Sequence, residues 1–482
     1  MAVDRDRLHR TLNPRTIVVV GDKGPNYQWL SNQSEFTGEL YSVQVDPKEV
    51  AEIEKRGFRN FSSLADVPGD IDLVICAVPR PIAPRIVADS VERGVGGISM
   101  FTSGFAETGE PDAIALQERI VELAKGDNMP LVGPNCMGIY NRRLGVKFTT
   151  DAEQGEGGRV SVIAQSGTHA IGMTLGLQRL GIKVTRSISI GNAVVLSPPD
   201  YLDYLREDPD TDIIVMYLED PKDGRRFFEA LKKTVAVKPV VLWRGGRSPA
   251  GARAIQSHTG SLASAVAVWD SMVKQAGAIG TRSIDETLDV VTALHNTNEP
   301  VARGIALIAM TGGQSVAITD QFQYAGFDVP QLSDASYAKL AEFFTVIGGS
   351  YRNPFDAAST IGRETENLAK ILEILAEDDA IDGGVAIELS ARGPGPQGGD
   401  GMKRLDGMLD LLDAYRQRTG EPVVAMIHEG SAGAGSGEAI LAARTHVASR
   451  GFAVYPNFER AAIALGRAVD FYNARAEMAA SK

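Results

Sequence analysis

Residues 159–173 read RVSVIAQSGTHAIGM, a β-branched apolar run followed by a glycine-containing turn and a helical pattern. The same order of features returns at 304–318, which read GIALIAMTGGQSVAI. A short, continuous apolar run is typical of a strand buried on both faces of a parallel sheet. Further runs of this kind, each followed by helical spacing, lie at 16–21, 72–79, 96–104, 212–220, 238–246, 383–393 and 421–430. Strands that alternate with helices predict doubly wound α/β domains.

Two polar breaks divide this alternation. They are DAEQGEGGR at 151–159 and HNTNEPVARG at 295–304. We therefore expect three α/β domains, at 1–150, 151–297 and 298–482. In open parallel sheets, ligands bind beyond the carboxyl ends of the strands, so the residues that follow each strand are the candidate functional residues.

Composition excludes several classes of protein. The 482 residues carry a net charge of −12 with no long basic run, which argues against a nucleic-acid-binding function. The two cysteines, Cys76 and Cys136, cannot form a disulfide framework, and this indicates a reducing compartment. The first residues lack the apolar core of a signal peptide, and no apolar run approaches the length of a membrane span. We expect a cytoplasmic protein that does not enter a membrane.

The strand ends of the first domain offer backbone donors for an anion. Gly- and Pro-containing turns follow the strands at 77–81 (AVPRP), 101–107 (FTSGFAE) and 133–141 (GPNCMGIYN). Such turns can direct N–H groups at an anion, and Lys48, Arg80 and Ser103 could add side-chain donors. Ordinary β–α turns also need Gly and Pro, so each turn alone leaves that interpretation open. The dinucleotide fingerprint G-x-G-x-x-G is absent after the first strand, which argues against a nicotinamide cofactor.

Taken together in this order, the turns resemble the coenzyme A (CoA) binding domain of succinyl-CoA synthetase α subunits and of the related NDP-forming (ADP-forming) acyl-CoA synthetases. GPNCMG resembles that family's GPN-x-x-G. The first loop, GDKGPNYQW, departs from the family's small-residue G-A-S or G-x-T-G loop. The resemblance implies a Rossmann-like CoA-binding domain at 1–150. The residues that it implies for CoA binding are Gly21, Lys48, Val78, Pro79, Ser103, Gly104 and Asn135.

In the second domain, residues 165–168 (QSGT) fall at a strand-to-helix junction. Free N–H groups and the positive end of the helix dipole suit a phosphate there. Ser and Thr are also good N-cap residues, so a simple helix cap is the alternative.

His258 lies in SPAGARAIQSHTGSLAS, at 248–264, among small residues that leave space around an imidazole. A helix that starts near Gly260 would present N–H groups to an anion. A neutral imidazole nitrogen is a competent phosphoryl acceptor, and it needs a carboxylate to orient it. Glu219 and Asp220, which end the run at 212–220, are both candidates for that carboxylate.

SHTGSLA resembles the phosphohistidine segment of the NDP-forming acyl-CoA synthetases, and QSGT resembles the loop that holds its phosphate. YLED matches the position of the glutamate that pairs with the histidine, which selects Glu219. The resemblance extends over almost the whole chain and implies two flavodoxin-like domains after the first. It implies catalytic roles for His258 and Glu219, and phosphate-binding roles for Ser166, Gly167, Thr168 and Gly260.

A Walker A motif is absent from the sequence, and the three α/β units leave no room for an ATP-grasp domain. The resemblance therefore implies an α subunit that works with a separate ATP-grasp β subunit, as a heterotetramer, with ATP or ADP and Mg bound on that partner. Its implied reaction converts a carboxylic acid, CoA and ATP to acyl-CoA, ADP and phosphate, reversibly, through a phosphohistidine and an acyl phosphate.

Two alternatives stay open at this point. One is a regulatory protein that binds CoA or acyl-CoA without ligase activity, and the other is a nicotinamide oxidoreductase. His9, His295 and His446 lie in polar segments without metal-ligand spacing, so no metal site is expected in this chain. The identity of the acid is not encoded in any motif.

Overall fold

The computed structural model describes residues 4–259, 266–297, 302–361, 364, 366–390, 401–428 and 437–480, with the backbone alone at 256–259, 358, 359 and 479. Two compact units divide the chain. Met1–Gln178 with Ile182–Thr287 form the first, and Arg179–Gly181 with Leu288–Lys482 form the second. Within the described ranges, the first unit contains two six-stranded sheets and the second contains one five-stranded sheet. The predicted α/β class is confirmed.

The first sheet is wholly parallel, with strand order β3-β2-β1-β4-β5-β6. Its strands are β1 (Thr16–Val20), β2 (Glu39–Val43), β3 (Arg59–Phe61), β4 (Leu73–Cys76), β5 (Gly97–Met100) and β6 (Leu131–Val132). Its helices are α1 (Arg5–Leu12), α2 (Gln28–Asn32), α3 (Pro47–Lys55), α4 (Ala83–Glu92) and α5 (Pro111–Gly126), with short 3₁₀ helices at Leu64–Asp66, Arg80–Ile82 and Ala106–Thr108. This strand order is that of the Rossmann fold, which confirms the Rossmann-like prediction.

The second sheet has strand order β12-β11-β10-β8-β9-β7. Its strands are β7 (Gly138–Asn141), β8 (Val160–Ala164), β9 (Val184–Ser189), β10 (Ile213–Leu218), β11 (Val240–Arg244) and β12 (Ile279–Thr281). Its helices are α6 (Gly167–Arg179), α7 (Pro198–Glu207), α8 (Gly224–Val235), α9 (Pro249–Thr259), α10 (Val266–Ala276) and α11 (Ile284–Asn296). Apart from β7, the order is the 2-1-3-4-5 order of flavodoxin-like folds.

Strand β7 is the one antiparallel member of the second sheet as described, and it pairs with β9. It lies before the expected border at 150, so the second sheet takes its edge strand from the segment assigned by sequence to the first domain. The borders near 150 and 297 themselves stay predictions.

The third sheet has strand order β14-β13-β15-β16-β17, again the flavodoxin-like order. Its strands are β13 (Ile305–Ala309), β14 (Phe355–Asp356), β15 (Gly384–Glu388), β16 (Val423–Met426) and β17 (Ala453–Tyr455). Its helices are α12 (Gly312–Tyr324), α13 (Asp334–Ala341), α14 (Ala358–Ile361), α15 (Glu366–Leu375), α16 (Gly401–Thr419), α17 (Gly437–Ser449) and α18 (Phe458–Ala480). None of the helices in the described ranges is long and apolar enough to cross a membrane.

A buried ion pair supports the second sheet. Arg186 of β9 donates to the Asp208 carboxylate at 2.7 Å, and the side chains are only 2% and 4% exposed. Arg186 also donates to the Asn13 side-chain oxygen at 3.0 Å, and Asn13 is the C-cap of α1. Two charges this far from water are tolerated only as a pair, so their geometry fixes α1 against the second sheet.

We expect Asp208→Asn to lower the free energy of unfolding by about 3 kcal/mol, because it leaves the Arg186 charge buried without its principal carboxylate partner. Urea titration followed by circular dichroism measures the change. The matched control is Asp212→Asn, which breaks an Arg–Asp pair with Arg159 whose side chains are about half exposed. That surface pair contributes less than about 1 kcal/mol. Equal losses in the two variants would contradict the structural role of the buried pair.

Candidate active site

The candidate site lies at the switch point of the second sheet, where β8 is flanked by β9 on one side and β10 on the other. Connections leave β8 and β10 toward opposite faces at such a point, and the crevice between them is where flavodoxin-like folds bind ligands. Gln165 follows β8, and Glu219 follows β10. The strand order therefore brings together two segments that are about fifty residues apart in the sequence.

Gln165 joins the two strand ends. Its side chain is buried, and its amide oxygen accepts from the backbone N–H groups of Glu219, at 2.5 Å, and Asp220, at 2.8 Å. Its amide nitrogen donates to the Asp220 carbonyl oxygen at 2.8 Å. Three hydrogen bonds to one loop fix the backbone that carries Glu219. From sequence, Gln165 is part of QSGT, but no role was predicted for its side chain.

Ser166, Gly167 and Thr168 lie where predicted, at the amino end of α6. The first N–H groups of a helix have no partner inside the helix, so the amino end of α6 can offer donors to an anion. The His169 N–H lies 3.4 Å from the Ser166 hydroxyl oxygen, so Ser166 also caps the helix weakly. Both interpretations of QSGT, as helix cap and as anion site, therefore fit one geometry.

A glycine is required at the start of α6. A Cβ atom at Gly167 would lie only 2.6 Å from Cγ of Met137, a residue of the GPNCMG turn. The Met137 N–H also donates to the Ser189 hydroxyl, at the end of β9, at 3.0 Å. The structure thus brings the most family-specific turn of the first domain against the proposed phosphate loop of the second.

Glu219 is oriented by an aromatic cluster. The Tyr217 hydroxyl donates to a Glu219 carboxylate oxygen at 3.1 Å. The Tyr217 ring packs against His169, with ring centroids 4.3 Å apart, and against Trp243, at 4.6 Å. A Cβ atom at Gly245 would lie 2.5 Å from the Tyr217 hydroxyl, so only glycine leaves room for this bond. Sequence spacing shows Tyr217 two residues before Glu219 on one strand, but the ring cluster depends on contacts between distant segments.

Burial keeps the cluster in its uncharged forms. It raises the pKa of the Tyr217 hydroxyl, as does the neighbouring Glu219 charge, so the hydroxyl remains a donor. Burial lowers the pKa of His169, and Glu219 opposes that shift only in part. His169 is therefore a neutral imidazole at neutral pH.

Asp220 was the second candidate for the orienting carboxylate. Its side chain accepts from the Lys222 backbone N–H at 2.8 Å and forms an ion pair with the Lys222 ammonium group at 3.3 Å. These bonds tie it to the following turn, whereas the Glu219 carboxylate is held by Tyr217 beside α6. This geometry favours Glu219, in agreement with the resemblance.

His258 lies in the last turn of α9, where the structure describes the backbone alone, and Gly260 lies outside the described residues. The helix start expected near Gly260 lies outside the described residues, whereas the residues before it already form α9. The reason is local, because PAGARAIQSHT is rich in alanine, the best helix former. Helix α9 lies against the 3₁₀ helix Ala106–Thr108 of the first domain. A contact between His258 and Glu219 stays a prediction.

The predicted CoA residues lie mainly at the carboxyl edge of the first sheet. Gly21 has φ +82°, and a Cβ atom there would lie 2.5 Å from Cγ1 of Val78. Gly104 has φ +90°, and its carbonyl oxygen accepts from the Arg80 guanidinium. Of the remaining predicted residues, Pro79, Ser103 and Asn135 are exposed or partly exposed on neighbouring turns, and Lys48 is exposed in the first turn of α3.

The atypical first loop is closed by the chain's own acids. The Asp22 carboxylate accepts from the N–H groups of Lys23, at 3.0 Å, and Leu30, at 2.8 Å. The Glu49 carboxylate accepts from the Gly24 N–H at 3.0 Å and from the Tyr27 hydroxyl at 2.6 Å. These bonds lower the pKa of Glu49. The donors that a phosphate would use here are thus already engaged, and the sequence signal for this is the pair of acids themselves.

Asn192 links the two sheets of the first unit and was not singled out by sequence. Its amide oxygen lies 3.4 Å from the Asn135 amide nitrogen, and its own amide nitrogen donates to Glu107 at 2.6 Å and to Gln117 at 3.2 Å. In the sequence, only the Gly-Asn pair at 191–192, shortly after β9, hints at this role.

Within the described residues, we find neither a reactive cysteine nor a cluster of side chains that could bind a metal ion. Cys136 is buried, and burial raises the pKa of its thiol to about 12, so it stays protonated and does not act as a nucleophile. In the part of the chain that the structure describes, no cluster of three or more His, Cys, Asp and Glu side chains could hold a metal ion.

Comparison with known proteins agrees with this geometry. A family model described as a CoA binding domain matches residues 15–142, and one described as a succinyl-CoA ligase like flavodoxin domain matches residues 157–294. The α subunit of ADP-forming acetate–CoA ligase II from Pyrococcus furiosus is 33% identical over 384 residues, which cover 78% of this chain and 81% of that protein. ADP-forming acetate–CoA ligase I of Archaeoglobus fulgidus is 30% identical over 379 residues, which cover 78% of this chain and 54% of that protein.

Among solved structures, the dinucleotide forming acetyl-coenzyme A synthetase 1 of Candidatus Korarchaeum cryptofilum, in complex with phosphate and ADP, is similar to this chain. The TM-score is 0.82 at 26% identity, with 98% of each chain covered. The resemblance inferred from the CoA turns, the QSGT loop and the SHTGSLA segment is confirmed, and this chain belongs to the family of ADP-forming acyl-CoA synthetases.

Proposed function

We propose that this chain is the α subunit of an ADP-forming acid–CoA ligase, which converts a carboxylic acid, CoA and ATP to acyl-CoA, ADP and phosphate, reversibly. The observation that supports this most directly is the junction of the GPNCMG turn with the amino end of α6, beside Glu219. It places the CoA-type turn, a helix terminus suited to phosphate and an oriented carboxylate within one unit.

In the proposed mechanism, a nitrogen of the His258 imidazole attacks the terminal phosphorus of ATP, and ADP leaves. Glu219 orients the imidazole, while the N–H groups of Ser166, Gly167 and Thr168 hold the phosphoryl oxygens. A carboxylate oxygen of the acid then attacks phosphorus, and the N–P bond breaks to give an acyl phosphate. The CoA thiolate attacks the acyl carbon, and inorganic phosphate leaves with the C–O bond electrons.

We propose that ATP and Mg bind on a separate ATP-grasp β subunit and that the two subunits form a heterotetramer. Relatives named as α subunits are covered by this chain over 76% to 81% of their length. Relatives named without a subunit are longer, and the chain covers 43% to 54% of them. The additional part of those longer relatives is where we expect the partner's function to lie. The two free, buried cysteines are consistent with a cytoplasmic location.

We expect radiolabelled ATP to place an acid-labile, alkali-stable label on this chain in the complex purified from its native host. His258→Ala should abolish the label, because it removes the phosphoryl acceptor. His446→Ala is the control, since His446 also pairs with an acid, Asp406, at 2.6 Å. Label that survives in His258→Ala, or no label although an ATP-grasp partner is present, would contradict the ligase mechanism and favour a CoA-binding regulatory protein.

Tyr217→Phe should slow phosphorylation of this chain about tenfold, because it removes one hydrogen bond to the Glu219 carboxylate and keeps the ring contacts. Rapid-quench measurement of the labelled chain gives the rate. Tyr415→Phe is the matched control, because Tyr415 donates to Glu421 in the second unit, whereas Tyr217 and Glu219 belong to the first unit. The same slowing in both variants would show that Glu219 is not positioned by Tyr217.

Gly21→Ala should weaken CoA binding at least tenfold, because a Cβ atom at φ +82° displaces Val78 and the turn after it. Isothermal titration with CoA measures the affinity. Gly57→Ala tests backbone strain alone, since Gly57 has φ +88° with open space around its Cβ position. If wild type binds NAD as well as CoA, or if the two variants lose CoA affinity equally, the assignment of this edge to CoA is wrong.

A further inference from the structure

A cavity of about 650 Å³ lies within the first unit, between α5 and the loop that follows β9. Its walls are mostly apolar, with Val121 and Met129 on one side and Val194 and Leu196 on the other. A volume of this size is typical of pockets for small organic ligands, and such pockets favour the carboxyl ends of parallel strands. None of the steps proposed above uses this cavity.

Cations outnumber acids in the lining. Lys125, Lys222 and Arg226 face one carboxylate, that of Asp200. Asp200 is engaged by Arg226, and Lys222 is paired with Asp220 at 3.3 Å. In the described chain, no ion pair involves Lys125. A local excess of positive charge on a chain of net charge −12 favours an anionic ligand.

Unusual backbone conformations cluster at the same cavity. Five described residues other than glycine have positive φ, and three of them line it: Asn128 (+54°), Ala193 (+50°) and Lys222 (+65°). Asparagine adopts this conformation readily, but alanine and lysine seldom do. Such strain is retained where the surrounding structure holds it, which is most often at ligand sites.

The cavity adjoins the candidate active site. Asn192, which lines it, is bonded to Asn135 of the GPNCMG turn at 3.4 Å. Lys222, at another wall, follows Glu219 by three residues, in the loop that Gln165 fixes. A ligand in the cavity would therefore lie beside Asn192, which is bonded to the GPNCMG turn, and beside Lys222, in the loop after Glu219.

We propose that this cavity binds a small organic carboxylate whose apolar body is larger than acetate. The apolar walls hold the body, and the cations attract the carboxylate. The ligand is either the acid substrate or a regulatory acid of the same chemistry. As a substrate pocket it rests on the proposed ligase function, whereas binding itself does not.

The test is isothermal titration of the purified complex with hexanoate and trans-cinnamate, compared with hexanol, cinnamyl alcohol and acetate. We expect both carboxylates to bind at least tenfold more tightly than their alcohols and than acetate. Val121→Trp fills the cavity and should weaken their binding at least tenfold. Ile114→Trp, at an exposed position of the same helix outside the lining, is the matched control.

A second variant provides an independent test in case Val121→Trp does not fold. Lys125→Gln combined with Lys222→Gln should weaken carboxylate binding about tenfold and leave alcohol binding unchanged, because it removes two positive charges and keeps the apolar walls of the cavity. The proposal is overturned if neither carboxylate binds the complex, or if Val121→Trp and the double variant both bind as wild type does. Binding to the free chain but not to the complex would also overturn it, because the partner would then cover the cavity.

Turnover of the bound carboxylate distinguishes the acid substrate from a regulatory acid. Conversion of the bound acid to its acyl-CoA, with a KM that rises in Val121→Trp, identifies a substrate. Binding without conversion, together with altered CoA affinity, identifies a regulator. Carboxylate binding that persists while phosphorylation of His258 fails refutes the ligase mechanism alone. Phosphorylation without carboxylate binding refutes the cavity proposal alone.

Discussion

The site depends on one buried amide. The Gln165 side chain bonds to three backbone groups of the loop after β10, and so it holds Glu219 in register with the amino end of α6. A side chain of another length would leave buried backbone groups without partners, which is costly. The aromatic cluster then sets the carboxylate itself, through the Tyr217 hydroxyl. The strand order, the Gln165 amide and the Tyr217 hydroxyl together fix the position of one functional group, the Glu219 carboxylate.

Close approach of side chains to two glycines is the second constraint. Gly167 lets the Met137 side chain reach the start of α6, and Gly245 leaves room for the Tyr217 hydroxyl. Both positions favour a residue without a side chain, because a Cβ atom at either one would lie within 2.6 Å of a neighbouring atom. The GPNCMG turn can lie against the amino end of α6 because Gly167 has no Cβ atom.

The fold class was largely predictable from sequence, because buried parallel strands leave continuous apolar runs, and the nine runs quoted above correspond to nine of the seventeen described strands. The positions of Gln165 through Thr168 and of Glu219 followed from the rule that strand ends carry function. The role of the Gln165 amide and the His169–Tyr217–Trp243 cluster did not follow, because both depend on contacts between segments far apart in the chain. Strand β7 was not predicted for a similar reason, because its partner β9 lies more than forty residues further along the chain.

The acids of the first loop have a consequence for ligand choice. Asp22 and Glu49 already accept the N–H groups that would otherwise meet a pyrophosphate at the end of β1. A dinucleotide arriving in the usual Rossmann orientation meets two acidic side chains there, and the donors beside them are already engaged. The chain therefore discriminates by exclusion. It retains the Rossmann strand order, but a nucleotide bound at this edge has to find its donors outside the N–H groups of Lys23, Gly24 and Leu30.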